Sequence, residues 1–127
     1  MRAYAGSRFV VELTGDARTS LKVEAKIAAD EDPAIRCAQV WSLVKRLADH
    51  GIIRSPDLWE QEPKGVFRLR PRCGLCAFGW FHEHRDKLIV ISHFAFRPKR
   101  RLAAADIARA DLNRQRLYWT QGYGYRN

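Results

Sequence analysis

KGVFRLRPRCGLCAFGWFHEHRDKLIVISHFAFRPKRR, residues 64–101, decides the fold of this chain. Three strand-like runs stand in it: Val66 to Arg70, Leu75 to His84, and Leu88 to Phe96. Arg85-Asp86-Lys87 marks a turn between the last two. Links this short leave no room for a crossover helix, so the three runs are expected as an antiparallel meander. The cations of the segment sit on or beside these strands, in KGVFRLRPR and LIVISHFAFRPKRR. That is the pattern of a folded anion-binding surface rather than of a loose basic tail.

Upstream, RFVVELT (Arg8 to Thr14) reads as a first strand that stops at Thr14-Gly15-Asp16. TSLKVEAKI fits two periods. Leu21, Val23, Ala25 and Ile27 alternate as in a strand, while Leu21, Ala25 and Ala28 make a helical face after Asp16 or Ser20, and helix is the preferred reading. The next segment has one period only. Asp32 is placed as N-cap, Pro33 at the first helical position, Ile35, Ala38, Trp41, Val44, Leu47 and Ala48 form the apolar face, and Gly51 ends the helix. Residues 52–63, with Ser55-Pro56-Asp57 and Glu62-Pro63, read as a connecting loop.

Downstream, a helix is expected from about Ala103 to Trp119, with a narrow apolar stripe suited to the sheet's edge. GYGYRN follows as a flexible tail, taken as residues 119–127. The whole chain of 127 residues is expected to be one domain of the α+β class. Its elements are an N-terminal strand, a helical hairpin, a three-stranded meander joined into one sheet, and a C-terminal basic helix.

The charge is lopsided. Residues 1–63 carry nine Lys/Arg against ten Asp/Glu, whereas residues 64–127 carry fourteen against four, so the whole +9 belongs to the second half. Nucleic acid, the ribosome or an acidic protein is the implied partner. No apolar run approaches the roughly 18 residues of a membrane span, and Met1-Arg2 leads into no apolar signal region. Three cysteines, an odd number, do not make a secreted disulfide framework, so a reducing cytoplasmic compartment is expected.

Gly65-Val66-Phe67-Arg68-Leu69-Arg70, the hairpin after it, and His93-Phe94-Ala95-Phe96-Arg97-Pro98-Lys99 before a helix resemble the RelE/HigB-type toxins of bacterial toxin-antitoxin pairs, especially the phage-derived HigB-like branch. The likeness covers residues 64–117 in motif and the N-terminal half in element order. It implies a RelE/ParE-like fold and a toxin component that enters the ribosomal decoding site and cleaves messenger RNA. A cognate antitoxin, of helix-turn-helix type, would hold it inactive. The chemistry calls for no metal or other cofactor: a 2′-OH attacks the neighbouring phosphate while cations stabilise the extra charge and a side chain moves the proton. The catalytic candidates are His93, Arg70, Arg68 and Arg97. Lys64, Arg72, Lys99, Arg100, Arg101, His82 and His84 are the RNA-binding candidates.

Alternation sets the expected geometry. With Phe67 and Leu69 facing the core, Arg68 and Arg70 emerge together on the opposite face, where a pair of guanidiniums can clamp a phosphate. His93 keeps phase with Ile89 and Ile91, which fits a core histidine as well as a catalytic one. Its basic neighbours Arg97, Lys99, Arg100 and Arg101 favour a neutral ring that can take a proton. One departure from the family pattern stands out. Where related toxins carry an aromatic-Arg pair in the second meander strand, this chain has Cys76 and Ala77. A non-enzymatic binder on the same scaffold is therefore the second class of function considered.

Cys73-Gly-Leu-Cys76 and His82-Glu-His84 have the composition of a zinc site. A strand between them would hold Cys76 and His82 about 20 Å apart, too far for one ion, so a hairpin turn with small buried thiols is expected instead.

Overall fold

A computed structural model of the chain describes residues 2–28, 31–99 and 103–123. The elements run β1 (Arg2–Ala5), β2 (Val10–Leu13), α1 (Gly15–Glu24), α2 (Pro33–His50), β3 (Trp59–Gln61), β4 (Phe67–Leu69), β5 (Leu75–Phe81), β6 (Leu88–Phe96) and α3 (Ala104–Thr120). This is an α+β arrangement of three helices and one six-stranded mixed sheet, ordered β1-β2-β6-β5-β4-β3. β4, β5 and β6 form the meander. β2 lies parallel to β6, and every other pairing is antiparallel.

Local chemistry explains the helix ends. The Asp32 side chain accepts the Ala34 N–H at 2.9 Å, Pro33 opens α2, and Gly51 closes it at φ +77° with its N–H donated to the Leu47 carbonyl. α1 begins earlier than the sequence reading had it, because Thr14 is its N-cap and accepts the Ala17 N–H at 3.0 Å. It stops at Glu24. Buried Arg36 from α2 donates to the carbonyls of Ala25, Ile27 and Ala28, holding the turn that follows α1.

β2 covers only the first half of β6, from Leu88 to Ile91. Beyond it the free edge of β6 is met by α1. Thr14 Oγ1 donates to the Ser92 carbonyl, Ser20 Oγ accepts the Phe94 N–H, and Glu24 Oε1 accepts the Phe96 N–H. Backbone groups buried beside a helix need such partners, and polar residues spaced along α1 supply them.

The sheet is buried on both faces. Val11, Phe67, Leu69, Leu75, Ala77, Ile89, Ile91 and Phe94 pack under Val40, Leu43, Val44 and Leu47 of α2. On the other face Val66, Cys76, Phe78 and Ala95 meet Ala110 and Ile107 of α3, and Trp80, Leu88 and Val90 meet Tyr118. Two-sided burial is why β5 and β6 read as continuous apolar runs.

Several expectations need revision. β1 and β3 were not foreseen; β3 lies inside the segment read as loop. β5 ends at Phe81, three residues before His84. α3 does not sit at the sheet's edge but packs across its central strands, β5 and β6. Of the expected tail, Trp119 and Thr120 complete α3 and Tyr123 stacks on His84, with centroids 4.3 Å apart. Residues 124–127 lie outside the described residues, as do Arg100 and Arg101.

Candidate functional site

The C-terminal ends of β4 and β6 and the N-terminal end of β5 meet at one end of the sheet. There Arg70, Arg72, Gly74, Arg97 and Pro98 line a cleft of about 360 Å³, closed on the other side by Ser55, Asp57 and Leu58. Gly74 makes the close approach possible. Its φ is +86°, its carbonyl accepts the Arg97 N–H, and a Cβ there would stand 2.7 Å from Pro98 Cα.

Each arginine is held differently. Arg97 is bound by Asp106 through two bonds, Nε to Oδ2 at 3.0 Å and Nη2 to Oδ1 at 3.1 Å, and its side chain remains 41% exposed. Arg70 lies 3.6 Å from Glu60, and its Nε is buried with no hydrogen-bond partner among the described residues. Arg72 is exposed, on the turn in which Gly74 N–H donates to the Pro71 carbonyl. Three guanidiniums from two separate stretches of chain thus share one hollow, an arrangement suited to an anion with several oxygens.

Arg68 has a different fate. It does alternate away from Phe67 and Leu69, but α3 covers that face and leaves Arg68 only 3% exposed. Its Nη2 pairs with Glu60 at 2.8 Å and Glu62 at 3.1 Å. It is spent on structure and does not reach the cleft surface beside Arg70.

His93 is 0% exposed. The ladder between β5 and β6 slips at Ser92: His93 opposes Phe78, and Ile91 already opposes Gly79. This bulge reverses the side-chain phase, so His93 leaves the face of Ile89 and Ile91 and turns toward α3. There its ring stacks on Phe78, centroids 4.9 Å apart and planes 7° apart. Asn113 Nδ2 donates to Ser92 Oγ at 2.8 Å, Ser92 Oγ meets His93 Nδ1 at 2.9 Å, and His93 Nε2 meets Asp106 Oδ1 at 3.1 Å. The Asp106 carboxylate can only accept, so Nε2 donates to it, while Ser92 Oγ can serve Nδ1 as donor or acceptor. A serine, a histidine and an aspartate are in line, yet solvent reaches none of them to a useful degree.

The network continues to α1. Asn113 Nδ2 also donates to Asp16 Oδ2, and Arg109 grips Asp16 through Nε and Nη2. Asp16 is held below the usual carboxylate range chiefly by that Arg109 hydrogen bond. Burial pushes the Asp106 carboxyl up, but hydrogen bonds from His93 and Arg97 outweigh it and leave the group below its ordinary value.

The remaining candidates scatter. Lys64, at φ +63°, lies against α3, its Nζ 3.7 Å from Asp111. Lys99 is exposed just past the cleft, two residues beyond Arg97. His82 and His84 are at the far end of the sheet. His82 Nδ1 accepts the N–H groups of His84 and Arg85, its Nε2 meets Gln121 Oε1, and both rings join Tyr118 and Tyr123. β5 spans the interval between Cys76 and His82, and among the described residues no group of three His, Cys, Asp or Glu is placed to hold a metal. Cys76 and Ala77 are both buried, Cys76 under α3 and Ala77 under α2.

Sequence reasoning missed Asp106, Glu60 and Glu62 as partners of its arginines, and Ser55 and Asp57 as cleft walls. None carries a local signal beyond being polar. Fold and site together define a class: an α+β domain with an arginine-lined cleft at one end of its sheet. Comparison with protein-family models, curated proteins and solved structures gave no match. Among the described residues no helix is long and apolar enough to cross a membrane.

Proposed function

We propose that the chain is an RNA-binding toxin of the RelE/HigB type, which engages messenger RNA on the ribosome through the cleft of Arg70, Arg72 and Arg97. One observation carries the reading: cations of the two basic segments converge on a single hollow, although 25 residues separate Arg72 from Arg97. The succession β2, two helices, the β4-β5-β6 meander and a last helix supports the reading, with β1 and β3 as additions that the resemblance did not imply. A cytoplasmic location and a helix-turn-helix antitoxin as inhibitory partner follow from the same resemblance.

Phosphate binding is the activity this geometry favours. The Asp106 grip fixes the Arg97 guanidinium before any ligand arrives, so little side-chain entropy is lost on binding. Scission of the RNA is the second reading, and the same preorganisation favours it, since a fixed cation stabilises charge that develops on a phosphate under 2′-OH attack. In either reading His93 works through Asp106 on Arg97, because both its ring nitrogens are engaged and buried. Arg68 has no part in the chemistry.

Induction of the gene in cells, with mapping of messenger ends, tests the assignment. Ribosome-linked cuts that vanish with Arg97→Ala support an endoribonuclease. Ribosome association and growth arrest without cuts support a binder. Absence of RNA or ribosome association at physiological salt overturns both.

A further inference from the structure

The cleft continues past Arg72. A second hollow of about 530 Å³ adjoins it and shares Leu58, Pro71 and Arg72 as a common wall. The far wall comes from α2, through residues including Ile35, Gln39 and Ser42. Ile35 is 49% exposed, an apolar surface facing this groove rather than the core. Gln39 is oriented by the turn that carries Arg72: its Oε1 accepts the Cys73 N–H at 3.2 Å. Its amide nitrogen has no partner among the described residues, so the groove is offered hydrogen-bond donors.

A cationic hollow and a largely apolar hollow that meet at one arginine suit an occupant that carries an anion and, a sugar's length away, a flat ring with apolar faces and polar edges. We infer that the second hollow takes the base of the single-stranded ribonucleotide whose phosphate lies in the cleft, with Gln39 donating to an acceptor on that base. The inference rests on the phosphate-binding reading above and adds to it a base subsite and its reader. The cleft has the volume of a small ligand pocket, and the second hollow is a shallower, open surface of the kind that covers one face of a base. Arg72, at the junction, can serve the phosphate with its N–H groups and the base with its flat face. The positive charge of the whole chain, +9, favours a polyanion over an uncharged apolar partner.

The test uses the full chain and labelled RNA oligonucleotides of roughly eight nucleotides, followed by fluorescence anisotropy. An oligonucleotide with abasic riboses keeps every phosphate and loses the bases. It is expected to bind about tenfold more weakly than its intact counterpart, with an unchanged salt dependence. Ser42→Trp, which fills the groove from an exposed helix position, should weaken the intact oligonucleotide by a similar factor and leave the abasic one alone. Gln39→Glu keeps an acceptor for the Cys73 N–H but offers the groove a carboxylate, and should reorder the preference among oligo-U, oligo-C and oligo-A.

Equal binding of intact and abasic RNA, with both lost in Arg72→Ala, overturns the base subsite and leaves the cleft reading standing. The groove would then belong to a side chain of a protein partner. Equal loss of both RNAs in Ser42→Trp also counts against it, as a general effect on the cleft. No binding of either RNA by the native chain removes the inference and the proposed function together.

Discussion

His93 Nε2 lies 3.1 Å from Asp106 Oδ1, and both side chains are buried between β6 and α3. The same carboxylate holds Arg97 at the cleft by two further bonds. A histidine sealed from solvent thereby sets the position of a cation at the surface. Asp106→Asn is expected to destabilise the protein by about 3 kcal/mol, because a buried pair loses one partner. Urea unfolding measures that loss, and RNA anisotropy should show weaker binding beyond what unfolding accounts for. His93→Gln, which can still donate to Asp106, should retain more binding than His93→Ala.

Acid should loosen this region first. Asp106 and Asp16 are both below the ordinary carboxylate value in the folded protein, so their contribution is complete above about pH 4, the unfolded value. It is lost as pH falls through the lower folded values. Melting temperature recorded across this range should drop below about pH 4, and the drop should be shallower in Asp106→Asn. A steeper drop in the variant would contradict the assignment.

Salt dependence separates the cleft arginines from surface charge. Arg72→Ala and Arg97→Ala should each lower the slope of log K against log salt by about 0.7 for single-stranded RNA. The loss should be similar across base sequences in Arg97→Ala. Lys22→Ala, on the exposed side of α1, should leave the slope unchanged.

Gly74, in the turn from β4 to β5, lets the two basic segments approach each other. Gly74→Ala forces a side chain into φ +86° and sets a Cβ 2.7 Å from Pro98 Cα, so backbone must shift. The expected cost is about 2 kcal/mol or more in urea unfolding, with RNA affinity reduced at temperatures where the variant is still folded.

Cys76 should be chemically silent. Burial under α3 pushes its thiol up to about 12, leaving almost no thiolate near neutrality. At about pH 8 an alkylating agent should modify Cys76 only after denaturation, whereas the half-buried Cys37 and Cys73 react sooner. Peptide mapping after timed labelling reads the order directly.

Much of the fold was legible because its signals are local. Asp32, Pro33 and Gly51 marked α2 to the residue, since each cap acts within about one helical turn. The meander was legible from run lengths and short links. β3 was not, for its three residues pair with β4 without any period of their own. TSLKVEAKI fitted two periods, and contact with the edge of β6 selected the helix: Ser20 and Glu24 have backbone partners there only in that form.

For the site, the sequence by itself determined the charge: fourteen cations in the second half, ten of them in the stretch from Lys64 to Arg101 that carries the meander. It determined that Arg68 and Arg70 would leave the strand on one side. Only the tertiary structure decided that α3 covers this side and that β3 sets Glu60 opposite Arg68, so that Arg68 is buried and paired with Glu60 and Glu62 while Arg70 reaches the cleft. It likewise decided the fate of His93. A one-residue bulge, fixed by register against Phe78 and Gly79, reverses the phase that strict alternation assigns. Period and caps are properties of neighbours along the chain. Burial and ion pairing depend on which face another element covers, and here that element begins at Ala104, far from the arginines it sorts.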